Sequence, residues 1–434
     1  MLPVVIVSVS ALVSLILVLG RSYHVLIGLI IAAGWAQAPL ISLTQSSAFQ
    51  YIDDVPAAAL VLAAVVKAIS ASNRRLRKAL LLLAVLAVLV GIGVVRSPDT
   101  AVGVAQARQV LMPLGLVFAG FVYREEIKWR TVTGFVLFFA ILTVAWVFVE
   151  EFIQAPLIDP TWYYVEVIGG SPLTLRSGLP PSYFADGLET GLSVFRPGGP
   201  FMNPPVMGFL LGLGSFAAVS RLHGFWRIAT LAAFGAALLF GYARAGILMF
   251  FVVTVIYLIW VRVGKHAGVA VAVGLGAYMA STFLAQGNTA SHSDGLLSGF
   301  MLGLQSPIGQ GFGTSGYQAA LERTGTGVGS ESLFGLYFAW LGWPMILAVA
   351  YSLVHLWKLL ARTPKSGSLS IWLTIGFVLA AASSESASSM AATPVLWLIA
   401  GCVLATAVPA KPENSMGNSD QDLRAISSPY AVGR

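Results

Sequence analysis

Apolar runs of about twenty residues recur along the whole chain, long enough to cross a hydrocarbon layer of about 30 Å as helices. They fall at 3–20, 24–43, 56–71, 79–95, 106–122, 131–149, 200–219, 228–243, 246–261, 267–285, 332–357, 369–386 and 391–408. They are continuous and do not alternate in polarity over about ten residues, which excludes a membrane β-barrel. Charged residues make up 10% of the 434 residues, against about 25% in a soluble domain. The expected fold is all-α: a polytopic helical membrane protein of about 12–13 transmembrane helices with two long extracytoplasmic loops.

Positive charge orients the helices, because cytoplasmic loops hold an excess of lysine and arginine. Arg74, Arg75, Arg77 and Lys78 make one basic loop, and Arg124, Lys128 and Arg130 the next. Arg221 with Arg227, Arg262 with Lys265, and Lys358 with Arg362 and Lys365 follow, so every second loop is basic. The chain divides into N-terminal transmembrane helices (1–149), a first long extracytoplasmic loop (150–199) and helices carrying arginine motifs (200–285). A Gly-rich extracytoplasmic loop (286–331), C-terminal transmembrane helices (332–408) and a polar tail expected to be a disordered cytoplasmic end (409–434) complete it. Only Met1 and Leu2 precede the first run, so it lacks the basic region of a signal peptide and reads as a retained helix. The single cysteine, Cys402, leaves no disulfide to be made within one chain. The net charge of +7 lies mostly in short loops and reflects topology, not nucleic-acid binding.

No lysine falls in the loops assigned to the outer side, yet Arg96, Arg108, Arg176, Arg196, Arg244 and Arg323 do. The orientation rule disfavours outward arginine as well, so these residues ask for a reason. A planar, permanently charged fork that binds phosphate in a bidentate manner is one. The loop 150–199 adds Trp162, Tyr163, Tyr164 and Tyr183 among prolines. Such aromatics anchor a membrane boundary more readily than they stack on sugars.

Three constellations concentrate the chemistry. The first runs Phe195-Arg196-Pro197-Gly198-Gly199-Pro200-Phe201-Met202-Asn203-Pro204 just ahead of an apolar segment. Prolines and glycines there leave backbone amides unpaired, and amides, a helix N-terminus and a guanidinium together make an anion site. The structural alternative is a turn with an interfacial arginine. The second is Gly241-Tyr242-Ala243-Arg244-Ala245-Gly246, an arginine among small residues that interrupts an apolar run. Charge at such a place is costly and is commonly retained for function, although an arginine can also snorkel to the interface. The third is Gly327-Val328-Gly329-Ser330-Glu331-Ser332, where the long loop meets the next apolar run. A carboxylate there suits a general base, and Ser330 with Glu331 equally suits a helix N-terminus.

Other groups are weaker. Asp53-Asp54 reads as a helix start, His292 with Asp294 as a solvated loop pair, and Glu385 as a partner for an arginine. Arg108 could help to neutralise phosphate. No P-loop, zinc-ligand spacing or nucleophile elbow is present, and neither a metal nor a cofactor is expected.

From Val194 to about Leu360 these constellations, in their order, resemble the bacterial O-antigen ligase and polymerase superfamily of polytopic membrane glycosyltransferases. The resemblance rests on Arg196 to Pro204, on Tyr242-Ala243-Arg244-Ala245-Gly246, on Gly311-Phe312-Gly313 within the long loop, on Glu331-Ser332 at its end, and on Leu341-Gly342-Trp343-Pro344. Ala243 stands where the family carries serine, and Glu331 where its lipopolysaccharide ligases carry histidine; the second departure favours a polymerase-like member.

The resemblance implies a glycosyltransferase in a bacterial plasma (inner) membrane with its site on the extracytoplasmic side. Its donor would be a glycan on polyprenyl (undecaprenyl) diphosphate, and its acceptor a second glycan or a lipid-linked glycan. Polysaccharide-assembly proteins would be further partners. Arg196 and Arg244 would clamp the diphosphate and Glu331 would orient or deprotonate the acceptor hydroxyl. Arg108, Tyr242, Asn203, Gly313 and Ser332 would bind substrate. The alternatives are a ligase transferring to a lipid or protein acceptor and a transporter of lipid-linked glycan; transporters commonly show charge at the midplane and repeated halves.

Overall fold

The computed structural model describes residues 2–186, 193–264, 266–268, 270–271, 274, 290–316, 332–363 and 368–406. Among them the chain is helical almost throughout. Helices α1 (Leu2–Leu19), α2 (Tyr23–Thr44), α3 (Asp54–Ser70), α4 (Arg74–Val95), α5 (Thr100–Tyr123) and α6 (Trp129–Ile153) come first. Then follow α7 (Pro204–Arg221), α8 (Gly224–Phe240), and α9 (Arg244–Phe251) joined through a π-helical turn at Val252–Ile256 to α10 (Tyr257–Arg262). Last are α11 (Ala290–Gln305), α12 (Leu333–Leu341), α13 (Trp343–Arg362), α14 (Leu369–Ser383) and α15 (Pro394–Thr406). The described strands, β1 (Phe184–Asp186) and β2 (Ser193–Phe195), pair antiparallel with Phe184 opposite Phe195.

Six of the described helical stretches are long and apolar enough to cross a membrane: α2, α4, α5, α6, Arg244–Arg262 and α13. Five further apolar helices are shorter. On α4 the side chains of Leu81, Leu82, Val85, Val88 and Ile92 are exposed. A contiguous apolar face of this kind is costly in water and costs nothing against lipid.

The chain divides into two compact units. The first comprises Met1–Ala63, Thr131–Leu248 and Ser389–Val395. Its helices meet through aromatic and small residues. The Trp35 indole lies 5.7 Å from the rings of both Phe139 and Trp146, and its Nε1 donates to Thr143 Oγ1 at 3.0 Å. Helix α7 is buried along most of its length and approaches α9 through glycines, with a Cβ on Gly208 falling 2.8 Å from Ala243 Cβ. Close backbone approach through small residues is how helices associate without a hydrophobic driving force. The aromatics of the 150–199 segment line this interior. Trp162 and Tyr163 pack against Ala33, Ile41, Phe49 and Ile52, and Tyr183 packs with Ala38 and Met202.

The second unit comprises Ala64–Arg130, Met249–Ser388 and Leu396–Arg434. Within the segment expected to be one polar loop, 286–331, the structure places helix α11. Its Gly299 and Gly303 lie against the backbone of α12 at Gly335 and Phe338, and Phe300 meets Phe338 edge-on at 6.0 Å. The span expected at 332–357 is two helices, because Gly342 adopts φ 64° and ψ −143°, a conformation open to glycine alone. The turn before it, Gly309–Gly316, has positive φ at Gly309, Gly311, Gly313 and Gly316. Gln310 N donates to Ala339 O and Phe312 N to Gly93 O, so the turn closes on α12 and α4 through its own backbone.

Gly342→Ala tests this account. A Cβ at Gly342 would lie 2.8 Å from Pro307 O in a backbone region L-residues rarely adopt, and the expected loss is about 3 kcal/mol or more. The thermal unfolding temperature in detergent should fall by several degrees, whereas Gly91→Ala, inside α4 with open space around its Cβ, should leave it unchanged or slightly raised.

Candidate anion-binding site

Arg196 follows β2, and its backbone N donates to Tyr183 O at 2.8 Å. Its half-buried guanidinium reaches the C-terminal end of α8: Nε donates to Gly241 O at 3.1 Å and Nη2 to Tyr242 O at 3.3 Å. Those carbonyls lie just past the last residue of α8, so the arginine caps that helix, sharing Tyr242 O with the first amide of α9. A guanidinium has five N–H donors, and these two bonds leave the remainder for a ligand.

Arg244 is the first residue of α9, and its backbone N donates to the same Tyr242 O at 3.0 Å. Tyr242 is exposed and left-handed at φ 46°, the turn that swings the chain from α8 into α9. A cation at a helix N-terminus opposes the helix dipole, and a second cation stands close by. Burial, with Arg244 adding to it and Tyr242 partly offsetting, lowers the Arg196 guanidinium from its ordinary value to about 10. It therefore stays charged at neutral pH; burial is the main cause of the shift and the neighbouring Arg244 charge the lesser one. Neither arginine has a carboxylate partner among the described residues. Two guanidinia beside a helix N-terminus, with no carboxylate bonded to either among the described residues, match the electrostatics of a phosphate site.

The amides of the Arg196–Pro204 turn, expected to be open to a ligand, are occupied. Gly198 is right-handed (φ −90°, ψ −15°) and Gly199 left-handed (φ 60°), the alternation that forms an anion-binding nest. The anion in it is the protein's own: Gly199 N donates to Glu150 Oε2 at 2.9 Å, and the Gly198 amide also faces that carboxylate. Glu150 Oε1 accepts from Trp146 Nε1 at 2.9 Å and from Leu157 N at 3.1 Å. The sequence offers no sign of this role, since Glu150 and Gly199 meet only through the fold. Tyr183 stands beside the same turn. Its ring lies 6.1 Å from that of Phe195, and its buried hydroxyl has no hydrogen-bond partner among the described residues. Burial, with the Glu150 charge next, raises its phenol well above the ordinary value.

Asn203 is the N-cap of α7, its Oδ1 accepting from Val206 N at 3.4 Å. Arg196, Asn203, Tyr242 and Arg244 thus belong to the first unit, and Arg108, Gly313 and Ser332 to the second. Arg108 is half-buried on α5. Gly313 N donates to Gln106 Oε1 at 2.7 Å, and a Cβ there would lie 2.7 Å from Ser97 Oγ. Ser332 is fully buried and caps α12, its Oγ accepting from Gly335 N at 3.1 Å. Arg96 bonds the backbone, Nη1 donating to Gly309 O at 2.7 Å. Asp53 Oδ1 accepts from Gln37 Nε2 at 2.7 Å, tying α2 to the residue just ahead of α3, and Glu385 opens a short 3-10 turn. Glu331, Arg323 and the side chains of His292 and Asp294 lie outside the described residues.

Compared with protein-family models, curated proteins and solved structures, the chain matches none. The site is therefore read from its own chemistry.

The lowered Arg196 value has a sign. A base held below its ordinary pKa binds its proton less tightly in the folded chain than in the unfolded one. The cost is fully present below about 10 and is relieved as pH rises through that value. Removing the neighbouring charge should relieve part of it at neutral pH. Arg244→Ala is expected to raise the melting temperature of the anion-free protein by about 1–2 °C. The same variant should abolish the stabilisation that millimolar pyrophosphate gives the wild type. Arg196→Ala, which takes the described side-chain donor from Gly241 O while Tyr242 O keeps the Arg244 amide, should instead cost about 1–3 kcal/mol of stability in the anion-free protein.

Proposed function

We propose that the chain is a membrane glycosyltransferase that takes a glycan from a polyprenyl-diphosphate carrier on the extracytoplasmic side of a bacterial plasma membrane and joins it to an acceptor glycan. The reading includes about 12–13 membrane spans and places 150–199 and 286–331 on the outer side, as the alternating basic loops suggest. The observation that carries it is the pair Arg196 and Arg244, two guanidinia at the start of α9 with no carboxylate partner among the described residues. A glycosyl diphosphate gathers negative charge on its leaving group as the glycosidic bond breaks. Fixed cations placed where that charge grows stabilise the transition state without reorganising. The carrier diphosphate is already an activated leaving group, so the reaction needs only a base for the incoming hydroxyl, the role assigned to Glu331. Arg244 would bear most of the ligand contact and Arg196 would share its remaining donors. Asn203 and Tyr242 would shape the site from the adjoining turns.

The test is glycan length and lipid linkage in cells lacking the protein, complemented with wild type, Arg244→Ala or Glu331→Gln. Single repeat units accumulating on the carrier in the null and in both variants are the expected result, with turnover down by about 100-fold or more in each. Full-length polymer accumulating on the carrier would make the protein a ligase. Full complementation by both variants, or glycan retained on the cytoplasmic face, would refute the transferase reading.

A further inference from the structure

Glu150 is a carboxylate 1% exposed in the last turn of α6, an apolar helix long enough to cross a membrane. A buried negative charge at the negative end of a helix dipole is expensive twice over. No cation is bonded to it among the described residues; it is held by N–H groups alone. Those donors come from three places in the chain: the Trp146 indole one turn back, the Leu157 amide where the chain leaves α6, and the Gly199 amide where it returns to α7. The returning turn is the one that carries Arg196 three residues earlier. We propose that Glu150 is the positioning residue of the anion site: by filling the Gly198–Gly199 nest it fixes the turn from which Arg196 reaches Gly241 and Tyr242 and faces Arg244. This rests on the reading of Arg196 and Arg244 as a diphosphate clamp.

The two carboxylate oxygens do different work. Oε1 accepts two N–H groups and Oε2 accepts that of Gly199. In Glu150→Gln the amide oxygen serves the two-donor side, and the NH2 then meets the Gly199 N–H, donor against donor. The substitution therefore releases the nest while retaining the ties to Trp146 and Leu157. A residue that merely supported the fold would show no such selectivity for the arginine turn.

The experiment uses the full-length protein in lipid nanodiscs, with inorganic pyrophosphate as the probe, titrated calorimetrically against wild type, Glu150→Gln, Arg196→Ala and the double variant. Glu150→Gln is expected to weaken binding about tenfold and to have no further effect once Arg196 is alanine. Unchanged affinity in a folded Glu150→Gln, or an equal loss in the Arg196→Ala background, would overturn the proposal. A second measurement does not depend on binding. With the sole cysteine replaced (Cys402→Ser), spin labels at Val194→Cys and Leu239→Cys, both exposed in the wild type, report the distance between the arginine turn and the end of α8. That distribution should broaden in Glu150→Gln, and an unaltered one would overturn the proposal. If the wild type binds no pyrophosphate, the clamp reading fails and the spin-label distances alone decide the role of Glu150. Should Glu150→Gln not fold, Glu150→Asp, a carboxylate one methylene shorter, carries the same measurements.

Discussion

A helix that stops inside apolar surroundings leaves carbonyls and amides that water cannot reach, and each must find a partner within the chain. This constraint accounts for four long polar side chains buried or half-buried in the two units. Arg196 takes the carbonyls where α8 ends. Arg96 takes Gly309 O at the tight turn ahead of α12. Gln106 uses both ends of its amide on the same segment, accepting from Gly313 N and donating to Ser315 O at 3.1 Å. Glu150 takes the amides on either side of the long 154–198 excursion. In each case a long polar side chain does, from a distance in sequence, what a helix would have done locally.

The helices themselves are legible in the sequence because their cause is local. Expected spans at 24–43, 106–122 and 369–386 appear as Tyr23–Thr44, Thr100–Tyr123 and Leu369–Ser383. Composition alone decides such segments. Their interruptions are less legible. Pro344, two residues on, hints at a break at Gly342, but the run stays apolar and the break is fixed only once the Gly342 backbone is seen at φ 64°. The helix at Ala290–Gln305 is hidden in a stretch whose overall polarity reads as loop, although Leu296, Leu297, Phe300, Met301 and Leu304 recur at helical spacing. Least legible are the partners. Glu150 and Gly199 stand 49 residues apart, and Arg96 and Gly309 213 apart; no local pattern encodes either meeting.

The same accounting separates the arginines that the topology rule left unexplained. Arg96 is explained by the carbonyl it holds, so its presence says little about a ligand. Arg196 is explained in part, as the cap of α8, with donors to spare. Arg244 is explained by no described neighbour: it begins a helix whose dipole it opposes, and it crowds a second guanidinium that burial has already made costly. Two adjacent guanidinia of this kind suit a polyanion, which is the ground of the proposed diphosphate clamp. The aromatics of the 150–199 segment argue from the opposite direction. Tyr183 is fully buried and Trp162 and Tyr163 are half-buried against the interior of the first unit, so packing accounts for these rings without sugar stacking. In the proposed reading, recognition in this unit rests on charge at the α8–α9 turn, while Tyr183 packs with Ala38 and Met202 beside the turn that carries Arg196.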